Sequence, residues 1–333
     1  MEKITLSHGS GGRLMHQLID SIFMKEFSNP ILREKKDSAI VKIGTRNIAF
    51  TTDSYVVDPI FFPGGDIGSL AVYGTANDLV VCGARPLYMS VGAIIEEGFD
   101  KSLLEKIVRS IGQAAKKAGI SIVTGDTKVV GKGSCDKIFI NTSGIGEIYR
   151  RGLSADRIRP GDSVIVSGPI GDHAISILSR REGIVFKTGI KSDSASLGRL
   201  VRKALGASGK VRFMRDPTRG GLATTLNEIV TGKKFGIALD EDKVPVREGV
   251  RQACELLGFD PLYLACEGRV VLVAAKEDEA KILKAMRADK DGALARKIGV
   301  VTKDHKGRVY LNTSSGGKRV LDMLTGEQLP RIC

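Results

Sequence analysis

Tryptophan is absent from this 333-residue chain, and aromatic residues make up only 5% of it. The formal charge is +13, yet the Lys and Arg residues are scattered rather than gathered into a stripe. Without that stripe or aromatic platforms, the excess cations read as solvated surface and no nucleic-acid partner is expected. They also suit a protein that holds a triphosphate or docks on acidic partners. Long apolar runs are missing as well. Strand-length stretches are broken by glycine or charge, and Met1-Glu2-Lys3-Ile4-Thr5 lacks a secretory apolar core, so a cytoplasmic protein with no membrane contact is expected.

The five cysteines, Cys82, Cys135, Cys254, Cys266 and Cys333, are odd in number and form no C-x-x-C pair, which argues against a disulfide framework and a structural zinc site. Four read as small buried hydrophobes. Cys333 differs, since it ends the chain after Pro330-Arg331-Ile332. No G-x-x-x-x-G-K-[ST] run occurs, which excludes a P-loop.

What is present is an alternation of strand and helix patterns. Strands are expected over 39–43, 48–52, 88–95, 121–124 and 137–147, with helices over 68–82 and 101–118. Leu104, Ile107, Val108, Ile111 and Ala115 carry the i, i+3, i+4 spacing of a helix covering a sheet. A polar, turn-rich stretch near 150–162 separates this half from a second one. There, helices are expected over 172–181, 194–205, 221–231, 246–257 and 277–287. Strands are expected over 163–166, 211–214, 236–239, 262–265, 269–274, 295–301 and 308–312. The reading is therefore mixed α/β (α+β) in two domains: a Gly-rich segment and short helix over 1–37, a first domain over 38–150, a second over 151–320 and a flexible tail over 321–333.

Four aspartates stand out. Asp53 and Asp126 end strands, Asp78 lies inside an otherwise apolar helix, and Asp216 sits between Arg215 and Pro217 before a Gly-opened helix. Hard oxygen ligands from separate elements are what Mg²⁺ takes alongside phosphates. Taken singly, Asp53 and Asp126 also read as caps or turn residues and Asp216 as an N-cap. For Asp78, spacing alone leaves metal ligand and structural carboxylate open, because an unpaired buried carboxylate is costly. The turns Ser167-Gly168-Pro169-Ile170-Gly171-Asp172-His173 and Arg219-Gly220-Gly221 open helices whose free N–H groups suit phosphate, though strand-to-helix turns need glycine anyway.

Together, His8-Gly9-Ser10-Gly11-Gly12, Thr52-Asp53-Ser54, Asn77-Asp78-Leu79, Gly125-Asp126-Thr127-Lys128, the two glycine turns, Glu267-Gly268 and the terminal Pro330-Arg331-Ile332-Cys333 resemble the HypE family of hydrogenase maturation proteins. That family is a branch of the PurM-like ATP-dependent superfamily. The resemblance covers nearly the whole chain, and its terminal P-R-I-C is the specific part.

It implies two PurM-like domains, the first closing a β-barrel across a homodimer, with ATP in the groove between domains. Asp53, Asp78, Asp126 and Asp216 would hold Mg²⁺. His8, Gly9, Ser10, Gly11 and Gly12 would cover the nucleotide, with Thr127, Gly220 and Gly221 beside it, and Lys128 and Glu267 would move protons. Cys333 would take a carbamoyl group from HypF, dehydrate it to a thiocyanate at the expense of ATP, and pass cyanide to a HypC–HypD complex. Read without the resemblance, Lys128 is an exposed lysine and Glu267 an ion-pair partner of Arg269. A dozen tail residues at about 3.3 Å each would let the thiol travel tens of ångströms between such partners.

Overall fold

The computed structural model describes residues 3–9, 11–27, 29–181, 189–326, 329 and 331–333. After short helices α1 (Arg13–Leu18) and α2 (Met24–Phe27), the first sheet begins with the hairpin β1 (Ala39–Ile43) and β2 (Arg46–Tyr55). In β2 the period-two pattern buries Ala49, Thr51 and Tyr55 and turns Phe50, Thr52 and Ser54 outward. A small hairpin, β3 (Phe61–Phe62) with β4 (Gly65–Asp66), leads into α3 (Ile67–Val81). Then follow β5 (Ala84–Glu96), α4 (Lys101–Ala118), β6 (Ser121–Val130) and β7 (Ile138–Ile148). The sheet order is β1-β2-β7-β5-β6, with β6 an edge strand parallel to β5 across the α4 crossover.

Two helices cover one face of that sheet. Asp100 caps α4, which ends at left-handed Gly119 and buries Ile107, Ile111, Ala114 and Ala115. A capping box between Asp66 and Ser69 starts α3, which is buried on almost every side. The reason is its position: one side packs on β2, β7 and α4, and Val80 and Val81 join a core cluster of the second domain.

The second domain comprises β8 (Ser163–Val166), α5 (Asp172–Leu178), α6 (Gly198–Ala207), β9 (Val211–Arg215), α7 (Gly221–Val230), β10 (Gly236–Asp240), α8 (Glu248–Leu257), β11 (Val271–Ala274), α9 (Glu279–Arg287), β12 (Arg296–Thr302), β13 (Val309–Asn312) and β14 (Lys318–Leu321). Its mixed sheet runs β14-β13-β10-β12-β8-β11-β9. All residues of β8 and β11 are buried, as expected for strands covered on both faces. α7 packs in one cluster beside this sheet and α6 with α9 in another, while α5 and α8 share a core with the first domain.

Three expectations are corrected. The strand over 262–265 is a 3₁₀ turn, Pro261–Tyr263, because Asp260 accepts the Leu262 N–H at 2.9 Å and Pro261 favours a helical start. β6 runs to Val130 rather than stopping at Thr124, since parallel pairing with β5 continues to Glu96.

The terminus is not a loose tail in its described part. Val56 N–H donates to Cys333 O (3.1 Å), Asp58 N–H donates to Arg331 O (3.2 Å), and Ile332 is buried. The backbone just past β2 has donors to satisfy, and the chain end supplies the acceptors. Among the described residues no helix is long and apolar enough to cross a membrane.

One close approach joins the domains' shared core to the second sheet. A Cβ on Gly268 would lie 1.7 Å from Asp193 O and 3.0 Å from Ala195 N, so only glycine fits there. Gly268→Ala is expected to lower stability by about 1–3 kcal/mol, read as a lower urea midpoint with an unchanged slope. A midpoint equal to the parent's would show that the backbone approach is dispensable.

Candidate active site

The inward side of β2 meets the polar stripe of α3. Thr51 Oγ1 donates to Asp78 Oδ2 (2.8 Å), so the carboxylate that looked costly in an apolar helix has its partner across the interface. Tyr55 Oη lies 3.4 Å from Asp53 Oδ2 and 3.2 Å from Thr75 Oγ1. A Cβ on Gly74 would meet Tyr55 Oη at 2.3 Å, so glycine makes room for that phenol.

β9 delivers Asp216 from the other domain, at its end, and the chain before β1 delivers Asp37. Carboxylate oxygens of Asp37, Asp78 and Asp216 all lie within 4.8 Å of one another. At that spacing two carboxylates repel by about 3 kcal/mol at an effective dielectric of ~20.

These groups border a cleft of about 480 Å³ between the domains, which also exposes Asp53, Glu228, Glu267, Arg215, Arg219 and Cys333. Six side-chain carboxylates thus face two guanidiniums. Burial, then Asp53, Asp216 and Asp37, drives the Asp78 carboxyl well above the usual range. Burial, then Asp37, pushes Asp216 up to about 8. Burial also raises Asp37 and Asp53, the latter against hydrogen bonds from Asp78 and Tyr55 and the charge of Arg219. Arg215 offsets part of the charge through Asp37 (2.8 Å) and Glu228 (3.0 Å). So acidic a cleft repels a triphosphate unless divalent cations enter, and the clustered hard oxygens fit Mg²⁺.

Asp37 escaped the sequence reading. Its signal was the β1–β2 hairpin, because extending the Ala39–Phe50 pairing by two residues sets Asp37 opposite Thr52. Asp126, Thr127 and Lys128 stand elsewhere in the subunit. Register pairs Asp126 with Gly92, Gly92 with Asn141 and Asn141 with Ser54, three strands from β2 and thus about 14 Å away. Their strand, β6, is exposed almost throughout. Lys128 Nζ pairs with Asp126 at 3.0 Å, and that partner holds the Asp126 carboxyl below its ordinary value.

Glu267 is 3% exposed, and burial, then Asp216, Asp193 and Asp53, raises its carboxyl well above the usual range. Arg269, named as its alternative partner, pairs instead with Asp193 (3.3 Å) and Asp172 (3.5 Å).

The N-terminal glycines meet the cleft through Arg219. Its Nη1 donates to Gly9 O (3.0 Å), and a Cβ on Gly11 would lie 2.8 Å from Arg219 Cβ. Gly12 is the N-cap of α1, and His8 turns back on Thr5, its Nδ1 2.9 Å from Thr5 Oγ1. Ser10 and Pro330 fall outside the described residues. Gly220, left-handed at φ 72°, and Gly221 open α7 beside the cleft. A Cβ on Gly221 would strike Leu264 O at 2.6 Å. Of the other cysteines, Cys254 and Cys266 are buried, whereas Cys82 and Cys135 are only partly so.

An acidic interdomain cleft on this pair of sheets defines a class. The AIR synthase related protein N-terminal domain matches residues 35–148 and the C-terminal domain matches 159–312, which is the two-domain PurM-like fold. Within it, the chain is 50% identical over 332 residues to "Carbamoyl dehydratase HypE" of Bradyrhizobium diazoefficiens, covering 99% of this chain and 96% of that one. A crystal structure of hydrogenase maturation protein HypE in complex with ATP superposes with a TM-score of 0.83 at 50% identity, covering 99% of this chain and 100% of that one. A HypE–HypF complex gives 0.87 at 46% identity, covering 92% and 99%. The chain belongs to the HypE family.

The raised carboxyls have a sign that can be tested. A carboxyl whose folded pKa lies above its unfolded value binds more protons when folded, so stability falls as pH rises between the two values. For Asp216 that window runs from about pH 4 to about pH 8. The melting temperature without Mg²⁺ is expected to fall across this window, and Mg²⁺ to recover most of the loss near its top. Equal pH profiles with and without Mg²⁺ would remove the metal from this cluster.

Proposed function

We propose that the chain binds ATP with Mg²⁺ in the acidic cleft and dehydrates a carbamoyl group carried on Cys333, leaving S-cyanocysteine as the cyanide donor for [NiFe]-hydrogenase iron. The observation that carries this reading is that Cys333, the last residue, lines the same cleft as Asp53, Asp78, Asp216 and Glu267. The chain end is packed there through Ile332. As a substrate-bearing thiol, Cys333 also has a chemical reason to stand among the carboxylates.

Hydroxide is a poor leaving group, so the carbamoyl oxygen first attacks the γ-phosphorus and the bond to ADP breaks. The C–O bond then cleaves with loss of both N–H protons. The sum is S–C(=O)–NH₂ and ATP going to S–C≡N, ADP and phosphate, the oxygen leaving in the phosphate. Asp37, Asp78 and Asp216, with Asp53 beside them, would hold Mg²⁺, which would supply positive charge against the phosphates. The opening of α7 at Gly220, with Arg219, faces the phosphates, while the Gly221 N–H is held by Thr218 O (2.9 Å), and Gly9 and Gly11 cover the phosphates through Arg219. Glu267 takes one proton, since a carboxylate raised by burial is the stronger base once ionised.

Lys128 is the shuttle for the second proton, and Asp126 and Thr127 belong with it at a subunit boundary. A homodimer barrel closed through β6 supplies that boundary. Support comes from the uncovered sheet, where Phe50, Tyr88, Ile94, Ile122 and Val123 are 45%, 51%, 44%, 40% and 59% exposed. HypF is the carbamoyl donor, in line with the relative solved with it, and a HypC–HypD complex is the cyanide acceptor. All of this is cytoplasmic chemistry.

With HypF, carbamoyl phosphate and ATP, the C-terminal peptide is expected to gain a carbamoyl group and then lose the mass of one water. Cys333→Ala carries no adduct, Asp53→Asn and Glu267→Ala hold the carbamoyl form, and ATP binding survives in Cys333→Ala. Mass spectrometry reads each case, and an adduct on another residue would end the proposal. The parent is expected to sediment as a dimer and Val123→Asp as a monomer slow in dehydration. A parent that sediments as a monomer would refute the boundary role of Asp126 and Lys128.

A further inference from the structure

The last three residues are gripped in a way that the cleft chemistry does not require of an arbitrary tail. Three consecutive backbone oxygens, those of two carbonyls and one of the terminal carboxylate, are each taken by a donor. Arg331 O accepts from Asp58 N–H (3.2 Å) and Arg181 Nη2 (3.0 Å), Ile332 O lies 2.8 Å from His173 Nε2, and Cys333 O accepts from Val56 N–H (3.1 Å). The Ile332 side chain is 6% exposed within the core shared by the domains. Arg331 is held at φ 54°, a left-handed conformation that costs a non-glycine residue energy and persists only when its surroundings impose it.

What imposes it is a clasp around the guanidinium. Arg331 Nε donates to Val56 O (2.9 Å), and Nη1 pairs with Asp136. Lys137 Nζ braces that acid from the far side, 3.3 Å from Asp136 and 3.0 Å from Asp58.

His173 completes the grip from below. It is wholly buried, and burial depresses its basicity, so the ring is neutral. A carbonyl at Nε2 accepts only, so Nε2 carries the hydrogen and Nδ1 accepts from Ser192 Oγ at 2.8 Å. The next residue, Asp193, accepts the Glu267 N–H at 3.1 Å. The seat of the terminus and the buried glutamate therefore hang on one short segment.

We propose that Arg331 with Asp136, and His173 beneath Ile332, form a dedicated seat for the chain terminus, as positioning residues that set where Cys333 stands in the cleft. The seat reads two things: an arginine two residues before the end and a backbone in one register. It binds the terminus noncovalently, so Cys333 is held at the cleft when seated and is open to a reagent or a carbamoyl donor when it leaves. The inference rests on the reading of Cys333 as the substrate-bearing residue, but the seat has a readout that does not depend on turnover.

The test uses the full chain and iodoacetamide, with alkylation located on Cys333 by peptide mass. Arg331→Ala, Asp136→Asn and their double variant alter only the chain end and a partly exposed turn, and ATP binding measured by calorimetry checks that the cleft is intact. Losing a charge-assisted contact in this setting is expected to speed alkylation of Cys333 roughly three- to tenfold in either single variant. The double variant is expected to be no faster than either, because both changes open the same clasp. His173→Gln, which keeps a donor to Ile332 O, is expected to stay closer to the parent than His173→Ala. In single turnover from pre-carbamoylated protein, dehydration is expected to slow by a similar factor with ATP affinity unchanged.

Parental alkylation rates in both Arg331→Ala and Asp136→Asn would overturn the seat, as would additive effects in the double variant. If alkylation responds as expected but no form dehydrates, the seat stands and the dehydratase reading fails. Dehydration with unaltered alkylation sinks only the seat.

Discussion

Thr51 Oγ1 holds Asp78 at 2.8 Å from across the β2–α3 interface, and that hydrogen bond lets an apolar helix carry a carboxylate into the wall between two domains. The Asp37 carbonyl lies 2.9 Å from the same oxygen, so the two acceptors share the one hydroxyl hydrogen and the chain before β1 is drawn to the same point. One threonine therefore joins two of the three clustered acids. Asp216 arrives from the other domain, so the cluster exists only while both domains share α3. The repulsion among these acids is the local cost of holding the site in its metal-ready form, as active sites commonly do.

The same economy governs the cleft's other wall. Glycines stand where backbone must approach backbone: Gly268 against Asp193, and Gly221 against the 262–264 carbonyls. Each close approach fixes a functional neighbour, Glu267 in one case and the opening of α7 in the other. The terminus then closes the cleft by borrowing donors left over at the end of β2, so that strand positions Thr51, Asp53 and the Cys333 backbone along one stretch of sheet.

Much of this was legible in the residues. Helix α4 follows from its apolar spacing and its Asp100 and Gly119 ends, and the buried strands β8 and β11 follow from short apolar runs. Strand ends drifted where a neighbour decided them, as in β6, whose length is set by pairing with β5 and not by its own composition. β14 was unforeseen because Lys318 and Arg319 mask its pattern, and only the register with β13 makes it a strand. Within the site, Asp53, Asp78 and Asp216 were marked by their placement and Glu267 only by the family resemblance, whereas Asp37 sat unremarked before a strand.

By itself, the sequence determined the two-domain alternation, the absence of a P-loop, the candidate acids and the peculiarity of Cys333, because these rest on local periodicity, composition and motif. Tertiary structure alone decided that Asp37 joins Asp78 and Asp216, that Asp126 and Lys128 lie on an exposed edge of their own subunit, and that the terminus is docked. Those outcomes depend on which distant segments share a wall, and burial, charge repulsion and leftover backbone donors are properties of that wall rather than of any stretch of chain.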